Sequence, residues 1–330
     1  MKKIKVFMST ASTYAEREIL KKFAQGIKAS EGLEQDVNYT TSLNTPSNTS
    51  VAVEYTFSEV YTPCDLAIMF GSWKADRKGH HLVRLSVAKN AEAFLVIETP
   101  LLNRLTDSLN TEWRVGYNGF LSGEAGFPQL GETEAKQRML EKEVTVPDWN
   151  YNEKGHIVLA LQLPGDASLH GDDIMDWAYN TMMSIREYSD RKIILRTHPL
   201  MSDRGYQAHL FHLLGRLTFS KFKNYTLSLG NERSWSKDLE NAYCTVTYSS
   251  GLAIDSIMNG VPTIACDSAN FAYKISSQLI EEIENLKIAP ELTKQKWLQN
   301  LVALQYSEDE MVSGLAWEYI RQMLKVQQVL

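Results

Sequence analysis

The chain has 330 residues, 44% hydrophobic and 22% charged, with a net charge of −6. That length supports a large core spread over two domains, and the composition is that of a soluble globular protein with no apolar run long enough to span a membrane. Three cysteines, Cys64, Cys244 and Cys266, are odd in number and lack metal-ligand spacing, which argues against a disulfide framework and for a reducing cytoplasm.

Lys3–Met8 reads as a first strand, because its apolar stretch is too short and mixed for a signal peptide. Ala15–Ala29 has the spacing of an amphipathic helix that ends near Gly26 or shortly after. Asp36–Thr40 reads as a strand, and Leu43–Ser50, rich in Ser, Thr and Asn around Pro46, as a loop. Asp65–Phe70 and Ala93–Ile97 are apolar strands, followed by Gly71–Lys74 and Glu98–Pro100. This alternation predicts a parallel sheet with helices on both faces. Residues 111–153 change character. Trp113–Gly119 and Gly123–Gly126 are glycine-rich and aromatic, Glu132–Glu143 is a charged helical stretch, and the linker falls near Pro147–Gly155.

The second half restarts the pattern. His156–Leu163 is a strand with its turn at Pro164–Ser168, Asp173–Tyr188 a helix, and Ile193–Arg196 the next strand. Gln207–Leu214 and Trp235–Asn241 are short helices on either side of a Thr226–Leu229 strand. Ser307 and Glu310 have capping-box spacing and start a terminal helix carrying Met311, Leu315, Trp317, Ile320 and Met323.

Val246–Cys266 is the most informative stretch: a strand, a Ser249-Ser250-Gly251 turn, a helix, a stop at Gly260 and a strand opening at Pro262. Gly251 admits close backbone approach by a ligand, and free N–H groups at a helix start favour phosphate. Asp255 follows one helical turn later. Any βαβ unit can carry Ser and Gly at such a turn, so Ile193–Pro199 supplies the second argument. It is a short strand ending in Arg196, His198 and Pro199, and ligands of parallel sheets gather at the carboxyl ends of strands.

Arg196-Thr-His-Pro199, Thr247-Tyr-Ser-Ser-Gly251, an acidic residue at 255 and Gly260-Val-Pro-Thr-Ile264 resemble the capsule-polysaccharide-synthesis family of cytoplasmic GT-B glycosyltransferases, over roughly residues 156–280. The family usually has Glu where this chain has Asp255. Glu98–Arg104, Val115–Gly119, Gln162–Ser168 and Tyr306–Trp317, taken in order, also resemble glycosyltransferase-like proteins of tailed phages. Some phage members decorate hydroxymethylated pyrimidines in DNA. These resemblances imply an α/β GT-B fold, with two Rossmann-like domains whose parallel sheets face across a cleft. The expected domains are an acceptor domain at 1–153, a nucleotide-sugar domain at 154–305, and a terminal helix at 306–330 packing across both.

The expected donor site consists of Gln162, Asp166, Ser168, Arg196, His198, Ser249, Ser250, Gly251 and Asp255. Arg196 suits bidentate phosphate binding, or equally a sheet-edge salt bridge. His198 would neutralise the leaving phosphate. It could also be a solvent-facing turn residue. The acceptor base is assigned to Glu98 or Asp76, which follow strand ends. Lys74, Arg77 and Lys78, with His80, His81 and Arg84 beside them, form a basic cluster. Arg104, Arg114, Tyr117 and Asn118 extend it, and basic groups beside aromatics suit a flipped base and its phosphates. Such clusters are also ordinary solvated loops. The histidines show no three-ligand pattern and no Asp-X-Asp motif is present, so a metal-independent enzyme without a cofactor is expected.

The expectation is therefore transfer of a sugar, from a UDP-sugar in first place, to a 5-hydroxymethylated pyrimidine in double-stranded phage DNA, in the host cytoplasm. The enzymatic alternative is a capsule or lipopolysaccharide glycosyltransferase using a CMP- or UDP-sugar. A non-catalytic nucleotide- or DNA-binding protein is the alternative of another class.

Overall fold

The computed structural model describes residues 2–9, 13–32, 51–58, 60–71, 78–104 and 110–329. The expected Asp36–Thr40 strand and Leu43–Ser50 loop lie outside the described residues. The chain forms two units, Met1–Val144 with Leu298–Leu330, and Thr145–Trp297.

Unit 1 opens with strand β1 (Lys2–Phe7), helix α1 (Tyr14–Ser30) and strands β2 (Val51–Thr56) and β3 (Leu66–Phe70). Helix α2 (Lys78–Asn90), strands β4 (Phe94–Glu98) and β5 (Glu112–Tyr117) and helix α3 (Glu132–Glu141) follow. All five residues of β3 and of β4 are buried, as expected for strands covered on both faces. Helix α1 starts with a capping box between Thr13 and Glu16 and turns Ile19, Leu20, Phe23, Ala24 and Ile27 inward. Gly26 does not stop this helix. A Cβ there would lie 1.8 Å from the Met311 carbonyl oxygen, so the glycine is a contact point with the chain's far end.

Unit 2 comprises strand β6 (His156–Ala160), helix α4 (Ile174–Tyr188), strand β7 (Ile193–Arg196), helix α5 (Arg204–Phe219) and strand β8 (Tyr225–Ser228). Helix α6 (Trp235–Leu239), strand β9 (Ala242–Thr247), helix α7 (Leu252–Met258) and strand β10 (Thr263–Ala265) complete its sheet layer. Helix α8 (Glu291–Leu304) leads the chain back to unit 1, which gains strand β11 (Gln305–Ser307) and helices α9 (Glu308–Ser313) and α10 (Leu315–Val326).

The six-stranded sheet of unit 1 has the order β11-β5-β4-β3-β1-β2. Strands β1 to β4 pair in parallel, but β5 runs antiparallel to β4 and β11 antiparallel to β5. The glycine-rich region at 111–119 is therefore a reversed strand. The five-stranded sheet of unit 2, β10-β9-β6-β7-β8, is parallel throughout.

The units divide at 144/145 and 297/298, not at 153/154 and 305/306. The expected linker is bound into unit 2: Asn150 N–H donates to the Gly260 carbonyl (2.8 Å) and Asn152 N–H to that of Ala242 (3.0 Å). The terminal segment is core material of unit 1, where Tyr306, Met311, Trp317, Ile320 and Leu324 are fully buried. Among the described residues, no helix is long and apolar enough to cross a membrane.

Candidate functional site

The strand order of unit 2 places β6 centrally, with the chain proceeding through β7 and β8 on one side and through β9 and β10 on the other. The carboxyl ends of β6 and β9 therefore flank the point where the winding reverses, the usual ligand crevice of an open α/β sheet. The loops leaving these two strands bring together Gln162, Asp166, Ser168 and Ser249. Gln162, nearly buried, donates from Nε2 to Ser168 Oγ (2.8 Å) and Ser249 Oγ (3.0 Å), and its Oε1 accepts the Ser249 N–H (2.9 Å). Asp166 caps the short turn after β6 by accepting from Ser168 N–H (2.9 Å) and Ser168 Oγ (2.7 Å). These partners occupy the Gln162 amide, so it braces the Ser249–Gly251 turn.

Asn270 completes the brace from the β10 side, and the sequence reading missed it. It is 2% exposed. Its Nδ2 donates to Thr247 Oγ1 (3.0 Å) and to the Ser250 carbonyl (3.4 Å), while its Oδ1 accepts from Ala272 N–H (2.9 Å). The Ser250 carbonyl also accepts from Ala253 N–H. In a trans peptide the C=O and the next N–H point in opposite directions. Holding the Ser250 carbonyl inward thus turns the Gly251 N–H outward. Among the described residues, the Ser250 and Gly251 N–H groups and the Ser250 hydroxyl proton have no acceptor, while Ser250 Oγ accepts from Leu252 N–H (3.3 Å). Gly251 itself adopts φ −59°, ψ −17°, a conformation open to any residue, and α7 is only seven residues long. The site therefore rests on fixed donors at the switch point more than on a positive-φ glycine or a long helix dipole. Asp255 lies half-buried on α7, one turn beyond.

His198 follows β7 and caps the short turn at Pro199–Ser202. Its Nδ1 accepts from Leu200 N–H (3.2 Å). That bond sets the neutral imidazole as the Nε2–H tautomer. Gly230 enables the local fold, because a Cβ there would meet the Thr197 carbonyl oxygen at 2.3 Å.

Arg196 departs from the phosphate-binding expectation. Its Nη1 donates to Asp238 Oδ2 (2.6 Å) and to the Arg233 carbonyl (3.0 Å). Asp238 is fully buried and also accepts from Ser228 Oγ (2.6 Å) and Arg233 Nε (2.6 Å). Its backbone carbonyl bonds His156 at the amino end of β6 (2.8 Å), so Asp238 ties the last residues of β7 and β8 to the neighbouring strand. Arg196 is thus the buried ion pair that its strand-end position also allowed.

Tyr248, just before the serines, donates to Asp172 Oδ2 (2.7 Å) and meets Trp177 edge-on. Burial, reinforced by Asp172, pushes its phenol far above the ordinary range.

In unit 1 the described acceptor candidates of β4 and β5 divide between the two ends of that ladder. Glu98 ends β4 directly across the ladder from Arg114, and both are buried. Glu98 Oε1 accepts from the N–H (2.8 Å) and hydroxyl (3.0 Å) of Thr99. Tyr117 and Asn118 lie at the opposite end of β4, because β5 runs backwards. Tyr117 packs on the core, and Asn118 closes the strand end by accepting from Phe94 N–H (2.9 Å) and donating to the Glu92 carbonyl (3.4 Å). Arg104 is exposed. Lys74, Asp76 and Arg77 lie outside the described residues, as do the side chains of Lys78, His80 and His81. Among the described residues, no three His, Cys, Asp or Glu side chains gather as metal ligands.

No protein family and no curated protein matches the chain in sequence. Solved structures do. A KpsC β-Kdo 2,7 transferase of Thermosulfurimonas dismutans aligns over 96% of this chain and 99% of its own, with a TM-score of 0.52 and 12% identity. A β-Kdo 2,4 transferase of KpsC from the same organism aligns over 91% and 90%, with a TM-score of 0.47 and 13% identity. A UDP-GlcNAc 2-epimerase of Methanocaldococcus jannaschii aligns over 98% and 99%, with a TM-score of 0.34 and 14% identity. The first likeness establishes the fold: this chain has the GT-B fold of glycosyltransferases, with two Rossmann-like α/β units.

Proposed function

We propose that the chain is a GT-B glycosyltransferase that holds a nucleotide sugar at the carboxyl edge of the unit 2 sheet. The observation that carries this reading is the pair of amides at Ser250 and Gly251 that no protein acceptor takes up among the described residues, in a turn fixed at the switch point by Gln162 and Asn270. Fixed donors stabilise the charge that grows on a departing phosphate, at no reorganisation cost during the reaction. His198 Nε2–H and the Ser250 hydroxyl add donors to the same leaving group. In the transfer, the acceptor hydroxyl oxygen bonds to the sugar's anomeric carbon, the bond from that carbon to the phosphate oxygen breaks, and its electron pair leaves with the nucleotide. The acceptor proton passes to a base, for which Glu98 is our candidate. A Glu98→Gln variant that keeps full turnover would remove it from that role.

UDP- and CMP-sugars are the two donor classes. One observation favours CMP: Asp238 already holds Arg196, so the site's donors are mostly neutral and suit the single charge of a phosphodiester better than a diphosphate. For the acceptor we propose a saccharide hydroxyl. The likeness in fold to a Kdo transferase supports it, and the dispersal of Tyr117 and Asn118 away from Glu98 removes part of the case for DNA.

The test incubates the protein with UDP- and CMP-sugars, each with oligosaccharide acceptors and with DNA containing cytosine, hydroxymethylcytosine or hydroxymethyluracil. Mass spectrometry of the products reads the outcome. A sugar mass added to an oligosaccharide supports the proposal. Addition only to a hydroxymethylated base returns the acceptor to DNA. Nucleotide binding without product from any pair would make this a non-catalytic binding protein.

A further inference from the structure

Helix α5 turns Leu210, Leu213 and Leu217 into the unit 2 core, yet its outer face is also apolar. Phe211 is 67% exposed and Phe219 92% exposed. They stand eight residues apart and so lie near one face of the helix, with Gly215 between them. With His212, Arg216 and Tyr179 of α4 they line an open hollow of about 560 Å³. A Cβ at Gly215 would meet nothing, so close packing does not explain that glycine. Folding leaves these aromatic rings in water, and exposed apolar patches of this kind mark contact surfaces.

Charge on this segment is one-sided. The chain carries a net charge of −6, yet no Asp or Glu occurs between Asp203 and Glu232, while Arg204, Arg216, Lys221 and Lys223 do. Lys221 and Lys223 are exposed in the turn that follows Phe219. Asp176 of α4 is neutralised by Arg216, a lining residue of the hollow whose guanidinium also covers the Tyr179 ring at 4.0 Å.

We propose that this face docks the protein on an anionic lipid bilayer, with Phe211 and Phe219 entering the headgroup boundary and Lys221 and Lys223 facing acidic headgroups. Exposed aromatics beside lysines are the chemistry of peripheral membrane attachment. A second copy of this chain fits worse, because a two-fold interface would gather the lysines of both copies around a segment that has no acid to pair them. The chain's net negative charge repels an anionic surface elsewhere, so the α5 face orients the molecule on it.

Co-sedimentation of the full chain with vesicles tests this. One set is phosphatidylcholine alone, and the other is an equal mixture of phosphatidylcholine and phosphatidylglycerol. We expect pelleting with the anionic set only, weakening as salt is raised. Lys221→Glu with Lys223→Glu lowers partitioning by about thirtyfold or more. Phe211→Ser with Phe219→Ser lowers it by about tenfold or more. All four positions are exposed, and unchanged melting temperatures confirm intact folds. Wild-type protein that stays in the supernatant with anionic vesicles overturns the proposal, as does a double-Phe variant that binds like wild type. A dimer in sedimentation velocity that the Phe substitutions dissolve, without vesicle binding, assigns the face to a second copy instead.

Discussion

Unit 2 is one uninterrupted piece of chain with an all-parallel sheet, whereas unit 1 joins two distant pieces and ends in two antiparallel strands. In unit 2 each strand end passes into a short loop, so residues near one another in sequence arrive at one edge. In unit 1 the reversal at β5 sends Glu98 and Tyr117 to opposite ends of the same ladder. Sequence adjacency therefore reports a shared site only where the winding is regular.

The largest expected effect separates the units outright. Ending the chain after Trp297 removes β11, α9 and α10, and with them Tyr306, Met311, Trp317, Ile320 and Leu324 from the core. At about 1.5–3 kcal/mol for each large buried apolar side chain, the loss rivals the whole stability of a domain. Unit 1 should unfold while unit 2 keeps its protected amides in hydrogen exchange. Retained protection in β3 and β4 would show that the first piece folds alone.

Next in size is the ion-pair brace of unit 2. Asp238→Ala leaves buried Arg196 without its carboxylate and should cost about 3–5 kcal/mol in urea unfolding. Arg196→Ala sharpens the comparison between brace and ligand. We expect lower stability with nearly unchanged nucleotide affinity in the folded protein. Lost affinity at unchanged stability would return Arg196 to the donor phosphate.

His198→Asn keeps a cap acceptor where Nδ1 stands and removes the Nε2 donor. Loss of one donor to the leaving group should lower kcat by roughly 10²–10³-fold, with a melting temperature near wild type. An unchanged kcat would remove His198 from the reaction. Asn270→Ala acts one step further out by releasing the Ser250 carbonyl. Donor KM should rise about tenfold, one weakened hydrogen bond to phosphate, with a smaller change in kcat. A stability loss with unchanged KM would make Asn270 structural only.

These two residues also mark what could be read beforehand. His198 and the Ser249–Gly251 turn stand at strand ends, where β-propensity gives way to Pro, Ser and Gly, and that pattern is local. Asn270 contributes through tertiary hydrogen bonds, and an Asn after Cys266-Asp-Ser-Ala reads as ordinary loop composition. Arg196 was ambiguous for a related reason. Its partner Asp238 is 42 residues away, on the expected Trp235–Asn241 helix, and nothing local in that helix marks the carboxylate as its partner. The two-unit α/β fold was legible because apolar runs recur at regular spacing. The edge strand β11 was not, because three residues, Gln305–Ser307, carry no strand signal without the β5 ladder that pairs them.

The smallest effect is a pH dependence. Burial alone would raise the Glu310 carboxyl, but hydrogen bonds from Arg138 and the Ser307 amide, with the Lys142 charge, outweigh it and hold the pKa below its usual 4.5. A group depressed on folding contributes stability above its unfolded pKa and loses it as pH falls through the folded one. Unit 1 should therefore weaken as pH falls below 4.5. In unit 2, burial likewise opposes the Arg191 and Ser189 hydrogen bonds that depress Glu284. Glu310→Gln retains a capping-box side chain but cannot titrate, so unit 1 should lose part of its acid slope while unit 2 keeps its own. Hydrogen exchange followed from neutral to acid pH reads both units in one sample. An acid slope in unit 1 that Glu310→Gln leaves intact would mean that carboxylates elsewhere govern it, and that the Arg138 clamp on the terminal segment is not the acid-sensitive joint of unit 1.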